Sequence, residues 1–281
     1  MSETDLNIYN VKVDDSKLNE VNKGILPALP HFLVILGRIR AGKSLILQNL
    51  YLSKRFYGDD FDVRILISST AQNDAQACFM IDQFDFVFDH YNEELLEEIL
   101  KMIETDEHDR RFLIVMDDVI TDGFKQSRSG CPDRFSQLIT RFRHVGTERK
   151  EGLLSIALAV QYFRVLSPIV RNNCQALILA GDFPKAEILK IADAYSYFGG
   201  SSQKFLEIFD KSRNHPDNMG YDFLYLNTQQ LTARRNFKEV LWSKEQQLLE
   251  NKDQYVSDME ETEEKKKVFK KTKRDTKVHF D

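Results

Sequence analysis

The 281-residue chain predicts an α/β fold with a mainly parallel central sheet, and three observations carry that prediction. Short apolar runs alternate with segments of helical periodicity, the order of a layered α/β protein. Several of those runs are apolar at every position and end in a polar residue, as strands buried on both faces do. The first run leads through a glycine-bearing turn into a helix, the local arrangement of a phosphate-binding loop.

In chain order, residues 1–30 mix charged and aliphatic residues and end in Leu26-Pro27-Ala28-Leu29-Pro30, an extended lead-in because proline disfavours helix in itself and in the residue before it. The domain proper begins near His31. Phe32 to Leu36 is a strand that stops at Gly37, and Leu45, Leu47, Leu50, Tyr51 and Phe56 mark a helix predicted to run to about Phe56, before Gly58-Asp59-Asp60. Val63 to Ser68 is a strand with a polar tip, and Phe84 to Phe88 another short one. Glu93 to Glu104 is a helix with Leu95, Leu96, Ile99, Leu100 and Ile103 on one face and a solvated row of glutamates on the other.

Phe112 to Met116 is a fully apolar strand ending in Asp117-Asp118. A polar loop, 121–133, precedes a helix that Pro132 is placed to start, with Phe135, Leu138, Ile139, Phe142 and Val145 inward. Ser155 to Val160 ends at Gln161; Pro168 to Asn173 is a short helix, and Gln175 to Ala180 a strand before Gly181. Helices over Glu187–Tyr195 and Gln203–Lys211 lead to a late strand, Phe223–Asn227, expected at the sheet edge. From about Asn236 the chain reads as charged and helical. Past Asn251 a block of acids is followed by a block of bases, a tail that buries too little apolar surface to fold alone. The expected division is therefore a lead-in over 1–30, one α/β domain over 31–250 and a charged tail over 251–281.

Composition narrows the function classes. A net charge of −5 argues against a uniformly basic nucleic-acid binder, so contact with nucleic acid would be local. Cys78, Cys131 and Cys174 are far apart and form no C-x-x-C pair, which suits reduced thiols in an intracellular setting. The N-terminus lacks the basic-then-apolar order of a signal peptide, and the longest apolar run, Leu153 to Val160, is too short to span a bilayer. The expectation is a soluble protein made in the cytoplasm.

The chemistry concentrates in Gly37-Arg38-Ile39-Arg40-Ala41-Gly42-Lys43-Ser44, which satisfies G-x-x-x-x-G-K-[ST] at every fixed position. Between a strand and a helix, backbone N–H groups and the helix N-terminus face the phosphates of a nucleotide. Together with Leu45 these residues form the predicted nucleotide-binding segment, with Lys43 on the β- and γ-phosphates and the Ser44 hydroxyl on Mg²⁺. A second Mg²⁺ ligand should be an acid at the end of a buried strand beside the loop, and Asp117 meets that description; Asp118 would polarise the attacking water. Gln161, at a strand tip, can sense the γ-phosphate or orient water. For a transition-state cation, Arg143 is the first candidate and Arg171 the second. His144 reads as structural.

The ordered set GRIRAGKS, FLIVMDD, TRFRHVG and SIALAVQ, followed by SPIVRNN, resembles the genome-packaging ATPases of large DNA viruses, the poxvirus-type branch of the FtsK/HerA superfamily. The likeness covers roughly residues 31 to 230. It implies a RecA-like P-loop core, a three-layer sandwich, in a motor subunit that assembles into a ring and pumps double-stranded DNA into a capsid. By position, Gly37 to Ser44 would be Walker A, Asp117 and Asp118 Walker B, Gln161 the strand-end glutamine and Arg143 the finger reaching a neighbouring subunit. Many superfamily members have Asp-Glu where this chain has Asp117-Asp118, and small residues are more usual where it has Arg38 and Arg40. The partners implied are double-stranded viral DNA, a capsid or portal-vertex protein and further copies of the chain, in the host cytoplasm at a virus factory and in the virion. The alternatives are a P-loop nucleotide switch, against which stands the absence of N-K-x-D downstream of the loop; a small-molecule kinase; a non-packaging FtsK-like or AAA-like DNA motor; and a scaffold with an idle loop.

Overall fold

The apolar runs line up as parallel strands and set the architecture. The computed structural model describes residues 24–70, 80–119, 133–213 and 222–249. In order, these contain β1 (Phe32–Gly37), α1 (Lys43–Leu52), β2 (Val63–Ser68), β3 (Phe86–Phe88), α2 (Glu93–Glu104), β4 (Phe112–Asp117), α3 (Arg134–Arg141), β5 (Leu154–Val160), α4 (Pro168–Asn173), β6 (Ala176–Ala180), α5 (Lys185–Ala194), α6 (Ser202–Arg213), β7 (Phe223–Asn227), β8 (Thr232–Arg235) and β9 (Glu239–Ser243). The strands form one sheet in the order β3-β2-β4-β5-β1-β6-β7-β8-β9. From β3 to β6 every neighbouring pair is parallel. β7, β8 and β9 continue it antiparallel. The result is a mixed α/β fold with a large, mostly parallel sheet.

Alternation along each strand sorts the core onto the two faces. Phe32, Val34 and Leu36 of β1, with Ile114, Ile156, Leu158, Leu177 and Leu179, pack against residues of α2, α3, α4, α5 and α6. Leu33 and Ile35, with Leu113, Val115, Ala157, Ala159 and Ile178, face Ile46, Leu47, Leu50 and Tyr51 of α1. The helix that follows the glycine turn thus packs on the opposite face of the sheet from α2–α6. Local signals set the other helix starts: Asn92 Oδ1 accepts from Leu95 N at 2.7 Å, Asp133 Oδ1 from Ser136 N at 2.6 Å and Ser167 Oγ from Val170 N at 3.3 Å.

Several expectations need correction. α1 stops at Leu52, not Phe56; the chain turns back with Tyr57 N donating to Leu50 O at 2.8 Å, and Phe56 is buried in that turn. The helix of 134–141 starts from the Asp133 cap, and Pro132 with most of the 121–133 loop lies outside the described residues. β7 is not an edge: a hairpin of β8 and β9 covers its far side, so residues 239–243, expected to be helical, are a strand. The pairing comes from backbone groups, which the charged side chains of Lys238 and Glu239 do not reveal. The 251–281 tail lies outside the described residues.

At the end of the sheet where β1 begins, residues 24–30 form a strap. Ile25 O accepts from Tyr225 Oη at 2.8 Å and Asn227 Nδ2 at 3.1 Å, and Pro27 O accepts from Tyr57 Oη at 2.6 Å. Beneath it His31 is fully buried and shares a 2.8 Å hydrogen bond with Tyr51 Oη. Burial pulls the His31 pKa down to about 3, so the ring is neutral at physiological pH. Cys174 is a free, buried thiol pushed up to about 12 by burial, an unreactive packing residue; Cys78 and Cys131 lie outside the described residues.

Candidate functional site

The glycine turn sits at the C-terminal ends of the parallel strands, where an open α/β sheet leaves room for a ligand. Gly37 closes β1 with no space for a side chain, since a Cβ there would lie 2.6 Å from Ala180 O. The loop then rises through Arg38, Ile39 and Arg40, all exposed, with Ala41 N donating to Arg38 O at 3.1 Å. Arg40 (φ 65) and Gly42 (φ 86) both take left-handed backbone, and Gly42 is the cap from which α1 starts. Ala41 and Gly42 are half-buried, as are Ser44 and Leu45 in the first turn of α1.

Two adjacent residues of α1 meet two adjacent acids, the last residue of β4 and the one that follows it. Ser44 Oγ donates to Asp117 Oδ2 at 2.9 Å, and Lys43 Nζ lies 3.3 Å from Asp118 Oδ1. Lys43, only 5% exposed, also donates to Arg38 O at 3.3 Å, so its ammonium lies across the mouth of the loop. Asp118 has left-handed backbone (φ 51), turning its carboxylate toward Lys43, and Ser69 Oγ donates to its carbonyl at 3.2 Å. Left-handed backbone costs a non-glycine residue of order 1–3 kcal/mol and is found where the surroundings over-determine it.

The acid lies beside the loop, but its strand is not the neighbour of the loop strand: β5 lies between β1 and β4. The contact forms because α1 crosses over β5, where Ala157 and Ala159 present small side chains to it, and Ala159 is the register partner of Asp117. That arrangement also puts Gln161, just past β5, next to the loop. It lines a cleft of about 380 Å³ with Arg38, Ile39, Arg40 and Ala41, beside Tyr162, Gly181, Asp182 and Arg213. The last four were not singled out from the sequence. A glycine and an acid directly after an apolar strand could have flagged Gly181 and Asp182, whereas Arg213, at the end of an ordinary amphipathic helix, carries no sequence signal.

Arg143 is not in this assembly. It is exposed, 5.8 Å from the Phe142 ring, in a turn fastened to the start of β5 by Leu153 N donating to Val145 O at 2.9 Å. The seven residues of β5 separate it from the loop by about 20 Å. Arg171 stacks on Phe163 at 4.7 Å. His144 is exposed and paired with Glu151 at 2.8 Å, a surface contact.

No protein-family model matches the sequence, and no curated protein matches it. Solved structures do. The genome packaging NTPase B204 from Sulfolobus turreted icosahedral virus 2, in complex with AMP, is similar with a TM-score of 0.51 at 16% identity, over 75% of this chain and 98% of that one. B204, the DNA-packaging ATPase from Sulfolobus turreted icosahedral virus, is similar with a TM-score of 0.53 at 16% identity, over 74% and 97%. This chain has the fold of a viral genome-packaging ATPase. The resemblance read from motif order is met at the level of the fold. Among the described residues of this packaging-ATPase fold no helix is long and apolar enough to cross a membrane, and no group of three or more His, Cys, Asp or Glu could hold a metal.

Proposed function

We propose that this protein is the ATP-hydrolysing motor of a genome-packaging machine, a RecA-like three-layer P-loop ATPase that drives double-stranded DNA into a viral capsid. The observation that carries the reading is the pair of contacts between α1 and the end of β4 and the residue after it, Ser44 to Asp117 at 2.9 Å and Lys43 to Asp118 at 3.3 Å. In this reading Gly37 to Leu45 cradle the triphosphate as Walker A, and Asp117 and Asp118 are Walker B. Residues 31–250 are the motor domain, with 1–30 as lead-in and 251–281 as a charged tail.

The residues present fit Mg²⁺. A hydroxyl and a carboxylate oxygen already in contact suit a small hard cation that keeps phosphate oxygens and waters at its other positions, and Ser44 and Asp117 would hold it. Bound there, the ion would neutralise charge on the β- and γ-phosphates. Lys43 leaves Asp118 for the phosphates when nucleotide arrives. Asp118 is then free to orient the attacking water and accept its proton, as the water oxygen bonds to the γ-phosphorus, the bridge to the β-phosphate breaks and ADP departs with the electron pair. Gln161 reports the γ-phosphate from the strand tip. Arg143, too far from its own loop, serves the site of a neighbouring subunit in a ring. The partners are double-stranded viral DNA and a capsid or portal-vertex protein, in the host cytoplasm at a virus factory and in the virion.

The test is ATP turnover with and without double-stranded DNA, with native mass measured alongside. DNA-stimulated turnover that Lys43→Ala abolishes, in an oligomer, is the expected result. Turnover indifferent to DNA, or surviving Lys43→Ala, overturns the proposal.

A further inference from the structure

Arg213, the last residue of α6, reaches the cleft that faces the loop. Its side chain is 11% exposed, and its Nε donates to Oδ1 of Asp182 at 3.2 Å, while the Asp182 side chain is 86% exposed. The pair is lopsided. A guanidinium largely withdrawn from water leans on a carboxylate that is almost fully in it, and a carboxylate so solvated holds its partner weakly. Arg38 and Arg40 line the same cleft, so its lining carries three arginines and one carboxylate, a surplus of positive charge suited to an anion.

The wall that carries Asp182 is packed directly on the loop. Gly181 has φ +77, and a Cβ there would come within 3.0 Å of Ala41 Cβ. The segment that carries Asp182 is therefore held against the loop, with no side chain at Gly181 to separate them.

Resting on the nucleotide reading of the loop, we infer that Arg213 is a nucleotide-binding residue supplied by the same chain, released from Asp182 to the terminal phosphates when nucleotide binds. Asp182 is its competitor: the carboxylate occupies the arginine until phosphate replaces it. The two residues therefore have opposite effects on affinity.

The test measures binding of a fluorescent ATP analogue and thermal stability for the full chain, Asp182→Asn, Arg213→Gln and the double variant. Asp182→Asn is expected to bind more tightly, by up to about fivefold, the worth of one exposed ion pair. Arg213→Gln is expected to bind more weakly by about tenfold or more, as the loss of a charged hydrogen bond does, with the double variant matching it. If the pair merely fastens α6 to the sheet, both single variants lose stability alike and affinity does not move in opposite directions, which overturns the inference. Unchanged nucleotide affinity in Arg213→Gln with weaker, less salt-sensitive DNA binding overturns it too, since the cleft would then serve DNA phosphate. Should Arg213→Gln not fold, tighter binding by Asp182→Asn supports the inference and unchanged or weaker binding overturns it. Lys43→Ala separates the two readings: analogue binding by wild type that this variant loses keeps the loop as the nucleotide site even if the arginine fails, whereas no binding by wild type removes both.

Discussion

Asp117 and Asp118 are neighbours in sequence with different partners, a hydroxyl for one and an ammonium for the other. The left-handed backbone at Asp118 produces that division by turning its side chain away from Ser44 and toward Lys43. Asp118→Asn keeps the volume and removes the ion pair, so nucleotide binding should persist while turnover falls by about 10²-fold or more, the range for a lost proton acceptor. Equilibrium binding and single-turnover rates, measured on the same preparation, distinguish this outcome from general damage to the site. At the opposite end of the sheet, His31 makes a prediction about pH. Its pKa in the folded chain, about 3, is below the ordinary value of 6.5, so between those values the unfolded chain binds the extra proton. Stability is therefore fully present above pH 6.5 and falls as pH drops through the window, by at most about 1.4 kcal/mol per unit from this group. Thermal melts between pH 7 and 5 should show that slope, and His31→Phe should flatten it.

At the scale of elements, α1 reaches β4 only because β5 is low where the helix crosses. Ala159→Leu would insert bulk under α1, costing about 1–3 kcal/mol of stability and lifting Ser44 from Asp117. A lower melting temperature together with weakened nucleotide binding is the expected pair of results; a melting temperature change alone would place the crossing elsewhere. The strands β1, β4, β5 and β6 were legible because burial on both faces makes each a nearly continuous apolar run, broken only by Ser155 near the start of β5 and Asp117 at the end of β4. The order in which they lie side by side was not legible, since β4 precedes β5 in the chain and still ends up farther from β1. β9 escaped notice for a different reason: its exposed Glu239 and Val240 carry neither alternation nor a continuous apolar run. The loop lysine, serine and acid pair could be found by spacing, but Arg213 and Asp182, 31 residues apart, are brought together only by the packing of α6 on the sheet.

For the molecule as a whole, the strap of residues 24–30 spans the sheet from Tyr225 on β7 to Tyr57 beyond α1. Tyr225→Phe, which removes the hydrogen bond to Ile25 O and the longer one from Asn227 Nδ2 while keeping the ring, should cost about 1–2 kcal/mol without altering nucleotide affinity, as denaturant unfolding would record. If the chain is the proposed DNA motor, its net charge of −5 requires the grip on DNA to come from local clusters of arginine and lysine. Affinity for DNA should then fall linearly on a logarithmic salt scale, with a slope that counts the phosphates contacted. The length of β5 standing between Arg143 and the loop has one more consequence. If each active centre is assembled from two copies, Lys43→Ala and Arg143→Ala poison different halves of it, so two preparations that are dead when assayed separately should regain turnover once their subunits are allowed to exchange. Complementation of that kind has no counterpart in an enzyme whose active centre lies within one polypeptide.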